Sequence, residues 1–176
     1  MEMAKRKSTF LISHIPPMPA LEEYVDYIWH IKDDVGAYAQ HPNRLVPQGN
    51  FEVILDLKHS SFFKSEEGWE RHPKAFVAGL LDRRYFVKTE GPSELLGLVF
   101  KPGRFQHFST ASIHELKGKI CSLAEPSVFD APINGLYKKI QETAQDQKKY
   151  LLLQNYLLKI LNEDLQLENA FVFWAI

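Results

Sequence analysis

The chain has 176 residues, of which 45% are hydrophobic, 24% charged and 12% aromatic, and its 21 Lys and Arg nearly balance its 22 Asp and Glu for a formal charge of −1. This composition excludes disordered, collagen-like and extended coiled-coil chains, and it suffices for one self-folding domain with at most a helical appendage. The near-zero charge leaves no global field for a polyanion or an acidic membrane, and no apolar run approaches the ~18 residues of a membrane span.

Lys5, Arg6 and Lys7 precede an apolar run of only Phe10-Leu11-Ile12, too short for a signal-peptide core. Phe10 to Ile15 is predicted as a strand, stopped by Pro16-Pro17-Met18-Pro19, which cannot donate ladder hydrogen bonds. Leu21 to Tyr24 reads as one helical turn leading into the strand Val25 to Ile31, where Val25, Tyr27, Trp29 and Ile31 share a face at period two. After a loop containing Gly36 and Pro42, Arg44-Leu45-Val46 reads as a short strand. Gln48-Gly49-Asn50 is its turn, and Phe51 to Leu57 is the returning strand, with Phe51, Val53, Leu55 and Leu57 opposite Glu52, Ile54 and Asp56.

Residues 60–73 are mostly polar and read as a long exposed hairpin connection. Ala75 to Gly79, Tyr85 to Lys88 and Glu94 to Phe100 follow as strands, with turns at Asp82-Arg83 and Gly91-Pro92. No helical pattern separates these strands, which excludes a parallel βαβ fold. Beyond Pro102-Gly103 the period changes. Arg104 to Phe108 and Ser112 to Leu116 are predicted as short helical turns and Lys119 to Leu123 as a last strand. Asp130 is a good helix cap for Ile133, Leu136, Tyr137 and Ile140, which recur at helical spacing. A second helix, Gln145 to Asp164, carries the stripe Tyr150, Leu153, Leu157 and Ile160, backed by further leucines. That stripe is wide enough to cover the domain, another copy of the chain, or both. The sequence then resumes at Leu165 and stops on seven apolar residues without a polar cap, so a natural continuation is expected.

Catalytic motifs are sparse. The seven histidines contain no H-x-H pair and no H-E-x-x-H, so no metal site is expected, and one would have to be assembled from separated residues such as His30, His41 and His107. There is no nucleophile elbow, P-loop or dinucleotide fingerprint, and no cofactor or catalytic residue is assigned. Cys121 has no partner for an internal disulfide and reads as a buried small residue, which makes the cytosol the expected compartment. What remains is an aromatic barrel face of Tyr27, Trp29, Phe51, Phe76, Phe86 and Phe100, with Arg44, Gln48, Glu52 and Arg84 near its turns. A small barrel is either filled by its own side chains or leaves room for one ligand, and these residues suit both. For a ligand, Tyr27 and Trp29 would be the walls and Arg44, Glu52 or Arg84 the orienting groups.

Four stretches in order, Pro19-x-Leu21-x-x-Tyr24-Val25-x-x-Ile28-Trp29, Leu45-Val46-Pro47-Gln48-Gly49-x-x-Glu52-Val53-Ile54-Leu55, Phe76-Val77-x-Gly79 and Gly97 to Gly103, resemble the N-terminal half of AraC-type bacterial transcription regulators. Gln48 departs from that pattern, which more often has an acidic residue before the glycine. The resemblance implies an α+β chain, with a cupin-like antiparallel barrel of about seven to eight strands over residues 1–123. It also implies a helical linker and dimerisation region over 124–165, and the start of a truncated helix-turn-helix domain over 166–176. The function so implied is effector sensing and homodimerisation, with Tyr150, Leu153, Leu157 and Ile160 as the dimer contact and DNA reached only through the missing domain. The rival reading is a stand-alone cupin-like enzyme, an isomerase or metal-dependent oxygenase.

Overall fold

Short runs of β-branched and aromatic residues between Pro- and Gly-rich turns form ten strands in the computed structural model, which describes residues 10–36, 42–45, 49–81, 84–124 and 133–174, with side chains omitted at 134 and beyond 161. The strands are β1 (Phe10–Ile15), β2 (Val25–Asp33), β3 (Asn43–Leu45), β4 (Glu52–Asp56), β5 (Ser61–Lys64), β6 (Trp69–Arg71), β7 (Ala75–Ala78), β8 (Tyr85–Thr89), β9 (Ser93–Phe100) and β10 (Ile120–Ser122). The helices are α1 (Ile113–Leu116), α2 (Asn134–Glu142) and α3 (Asp146–Trp174), with 3-10 turns at Pro19–Leu21 and Phe105–Phe108. The result is the α+β, cupin-like order of antiparallel strands followed by helices. Among the described residues the strands form two facing sheets rather than one closed barrel: a six-stranded sheet ordered β1-β2-β9-β4-β7-β10 and a four-stranded sheet ordered β3-β8-β5-β6.

Alternation divides the larger sheet into two unlike faces. Ile28, Val53, Leu55, Val77, Leu96 and Leu98 point away from the smaller sheet into a core shared with the helices. There α2 contributes Tyr137 and Ile140 with Ile133 just before it, and α3 contributes Tyr150, Leu153, Leu157 and Ile160. The 3-10 turn adds Phe105, stacked on Phe51 with ring centroids 4.7 Å apart, and Phe108, 5.2 Å from Phe100. Full burial of each such side chain is worth about 1.5–3 kcal/mol. Polar contacts fix the helices in register: Tyr137 Oη donates to the Asp56 carbonyl at 2.8 Å, Gln141 Nε2 to the Leu57 carbonyl at 2.8 Å, and the Met18 N–H to Gln154 Oε1 at 2.6 Å.

Several expectations change here. The stripe Tyr150, Leu153, Leu157 and Ile160, read from sequence as a dimer contact, lies in the chain's own core, because the apolar outer face of the six-stranded sheet needs that cover. Val25 leaves the face of Tyr27, Trp29 and Ile31, since a register shift between Val25 and Tyr27 inverts the alternation and sends Val25 into the helix-side core. Phe51 and Phe100 belong to that core too, and Phe86 is 39% exposed, so the expected single aromatic face does not exist. The segment read as an exposed connection is the hairpin β5–β6, and β3 pairs with β8 in the other sheet rather than with β4. The helix read as ending at Asp164 continues as α3 to Trp174. Leu165-Gln166-Leu167-Glu168 contains no Gly or Pro, and extending a helix costs less than nucleating another. The expected boundary at 165/166 therefore falls inside one helix. His41, residues 46–48 and 82–83, and Asp130, all read from the sequence above, lie outside the described residues.

Candidate functional site

The opposite face of the larger sheet looks toward the smaller one across a cavity of about 650 Å³. Alternation supplies its lining. β2 contributes Tyr27, Trp29 and Ile31, β4 Glu52 and Ile54, β7 Phe76 and Ala78, β8 Tyr85, Val87 and Thr89, and β1 Ile12 and His14. Asn43, Arg44 and Leu45 of β3 also line it, with Arg44 and Leu45 exposed. Of the residues singled out from sequence for a ligand, Tyr27, Trp29, Arg44 and Glu52 come together here. Arg84 does not: it directly precedes β8, on the opposite parity from Tyr85, and is exposed.

Trp29 is held by a glycine. Its cross-strand partner is Gly97, where an added Cβ would sit 2.0 Å from the indole, so the ring lies over the bare backbone. The indole N–H donates to the Glu52 side chain. Burial raises the Glu52 carboxyl above its ordinary range, and the Trp29 hydrogen bond only partly opposes that. Burial also raises the Tyr27 hydroxyl, with the nearby Glu52 and Asp26 adding to the effect.

Facing this pair is a chain of hydrogen bonds that starts at Asp56. In the turn after β4, Asp56 accepts from the backbone N–H of Ser60 at 3.1 Å and of Ser61 at 2.8 Å, and from Ser61 Oγ at 2.6 Å. With its proton committed to Asp56, Ser61 Oγ accepts from His72 Nδ1 at 3.1 Å. That leaves His72 Nε2 to accept from the Tyr85 hydroxyl, 3.4 Å away. The imidazole stacks on Phe76 at 4.4 Å and 2°, and burial lowers its pKa to about 4, so it is neutral at pH 7. Burial moves the Tyr85 hydroxyl up beyond its usual range. Thr89, 5% exposed, lines the same cavity, and its hydroxyl has no hydrogen-bond partner among the described residues. An orphaned buried hydroxyl costs about 1–3 kcal/mol and marks a place where something else can bond.

His72, Tyr85, Thr89 and His14 were not singled out from sequence. The period-two set Tyr85, Val87, Thr89 was visible, but only the pairing of β8 with β5 shows that it faces the cavity. Chemically the site can enclose a small, largely apolar molecule and orient it with a few hydrogen-bonding groups.

A second polar cluster lies on the helix side. His30 Nδ1 is 2.9 Å from Tyr150 Oη and its Nε2 is 3.1 Å from Glu94 Oε1, which also receives Lys149 Nζ. Lys32 Nζ donates to Asp146 at 2.5 Å. His30, Glu94 and Asp146 place ligand atoms within 4.8 Å of one another. The Lys149 and Lys32 ammonium groups already occupy that negative ground, so the cluster acts as an ionic clamp between the sheet and α3 rather than as a cation cradle. Of the histidines considered for a metal, His30 belongs to this clamp and His107 packs edge-on against Tyr24, 5.4 Å between centroids.

The family described as a domain of unknown function, DUF6597, matches residues 13–122. No curated protein matches the chain. Two solved structures are among those similar to the chain. An HTH_3 family transcriptional regulator from Vibrio cholerae has 16% identity and a TM-score of 0.39, over 53% of this chain and 51% of that one, so the match spans about half of its length. The Cupin_2 domain of an XRE family transcriptional regulator from Enterobacter cloacae has 13% identity and a TM-score of 0.38, over 53% of this chain and 97% of that one. Among the described residues no helix is long and apolar enough to cross a membrane.

Proposed function

The chain belongs to the DUF6597 family, whose match covers every residue lining the cavity except Ile12, and we propose that it is the small-molecule-sensing half of an AraC-type transcription regulator. The observation that carries this reading is the cavity itself. A purely structural sandwich fills the space between its sheets, whereas here about 650 Å³ stays open between Trp29, Glu52, Tyr85 and the unpartnered Thr89 hydroxyl. The order of the four AraC-like sequence stretches supports the regulator class.

The layout also supports a route for the response. β2 presents Trp29 to the cavity and the next residue, His30, to Tyr150 and Glu94 on the other face. An effector seated against Trp29 thus acts on a strand that is bonded to α3. It shifts α3, and whatever α3 carries, only by its differential affinity for two arrangements. The regulator works as a cytoplasmic homodimer in this reading, with a contact surface other than the buried stripe of α3, and reaches DNA through a further domain.

Native mass spectrometry and thermal shift of the purified chain with a small-molecule panel test the proposal. The expected result is one ligand per chain that raises Tm and is lost in Trp29→Ala. A chain that retains nothing and shifts with nothing overturns sensing, and stoichiometric metal with turnover moves the reading to a cupin-like enzyme. The intact mass of the native gene product tests the regulator class, with a longer chain and a basic C-terminal domain expected.

A further inference from the structure

We propose that the cavity selects a small organic ammonium ion, its nitrogen held by the Glu52 carboxylate and its apolar body against Trp29, Tyr27 and Tyr85; this rests on reading the cavity as a ligand site. The argument is one of charge balance. Glu52 is the single acidic residue among the described lining residues, and the Trp29 indole bonds its side chain. Among the described residues no cation pairs with it. Arg44 lines the cavity but is exposed. The Lys88 ammonium is engaged elsewhere: it lies 5.0 Å from the Phe62 ring centroid and 5.1 Å from that of Trp69, and bonds Glu90 at 3.2 Å. His72 is neutral. Glu52 is half-buried and its surroundings already disfavour the charged carboxylate; a bound cation favours that form where an anion opposes it.

The remaining groups favour the same ligand. Tyr85 commits its proton to His72 Nε2, which leaves its oxygen as an acceptor, and Thr89 offers an unengaged hydroxyl. Electron-rich ring faces attract cations, most strongly where water is excluded. The indole covers Gly97 on one side and lines the cavity on the other. A neutral isostere would gain the apolar contacts but leave Glu52 uncompensated.

Isothermal titration of the full chain with 2-phenylethylamine, 2-phenylethanol and phenylacetate, equal in shape and different in charge, tests the assignment. The amine is expected to bind at least about tenfold more tightly than the alcohol or the acid. Glu52→Gln is expected to erase that preference. Equal or tighter binding of the alcohol or the acid overturns the ammonium assignment while the cavity stands as a ligand site. A folded Glu52→Gln that keeps the preference overturns it too. Binding of none of them also overturns it, and the sensing proposal then stands or falls on its own wider panel and Trp29→Ala. Should Glu52→Gln fail to fold by circular dichroism, the comparison in the unaltered chain decides.

Discussion

On the helix side of the six-stranded sheet, alternate residues of β2, β4, β7 and β9 are sealed under α2, α3 and the 3-10 turns, and ion pairs and hydrogen bonds tie the sheet to the helices. On the other side, the intervening residues of the same strands line an open cavity whose polar groups are mostly neutral and held by one another. One set of strands thus carries two environments separated by the thickness of a sheet. The difference teaches that alternation places stability on one face and ligand chemistry on the other. A substitution should act mainly on whichever property its parity assigns.

The largest expected effect comes from neighbours of opposite parity. Leu98 is 0% exposed, packed with Ile28 and Val53 against the helices, while Ile54 is half-buried at the cavity wall. Leu98→Ala should cost about 4 kcal/mol, as a cavity in a dry core does. Ile54→Ala should cost about 1 kcal/mol, because the space beside it is already open. Urea denaturation of both variants measures the pair, and equal losses would break the division between the faces.

The two polar clusters should separate in acid. Burial alone would raise Glu94, but hydrogen bonds from His30 and Lys149 and their charge hold it at about 2, against an ordinary 4.5. Its folded pKa is depressed, so its contribution is present above pH 4.5 and is lost as pH falls toward 2. His72 is depressed as well, by burial, from 6.5 to about 4. The unfolded imidazole takes up a proton below pH 6.5 and the folded one resists until about 4, so stability falls across that higher window. Each window is worth about 3 kcal/mol. Unfolding free energies measured from pH 7 to pH 3 should lose the upper step in His72→Asn and the lower step in Glu94→Gln.

The sequence made one of these faces easier to read than the other. Strand positions are legible because Pro, Gly and Asn clusters punctuate them, and the sequence offers Tyr27 and Trp29 as ligand walls and Glu52 as one candidate orienting group. Four things were not legible. The shift between Val25 and Tyr27 is a backbone irregularity with no residue of its own to announce it. The hairpin β5–β6 hides in a polar stretch because its small sheet faces solvent on one side, with Phe62, Arg71, Lys88 and Trp69 stacked outside. The inward stripe of α3 looks from sequence like any unpartnered amphipathic face, and only the bare outer face of the larger sheet says what covers it. His72 and Tyr85 meet only because β5 pairs with β6 and β8, which brings together groups 11 and 13 residues apart in the chain.

The smallest expected effect is also the most specific to the cavity side. The Thr89 hydroxyl is buried without a hydrogen-bond partner among the described residues, so in the unliganded chain it subtracts from stability. Thr89→Val keeps the shape and removes the orphaned group, and should raise stability by about 1 kcal/mol in urea denaturation. On the helix side, where polar groups are partnered, the comparable change Tyr150→Phe strips His30 of a bond at 2.9 Å and should lower stability by about the same amount. Opposite signs for two hydroxyl deletions on opposite faces are what a division of labour requires. A loss of stability in Thr89→Val would mean that the hydroxyl is engaged in the unliganded protein, and the cavity face would then be a structural surface like the other.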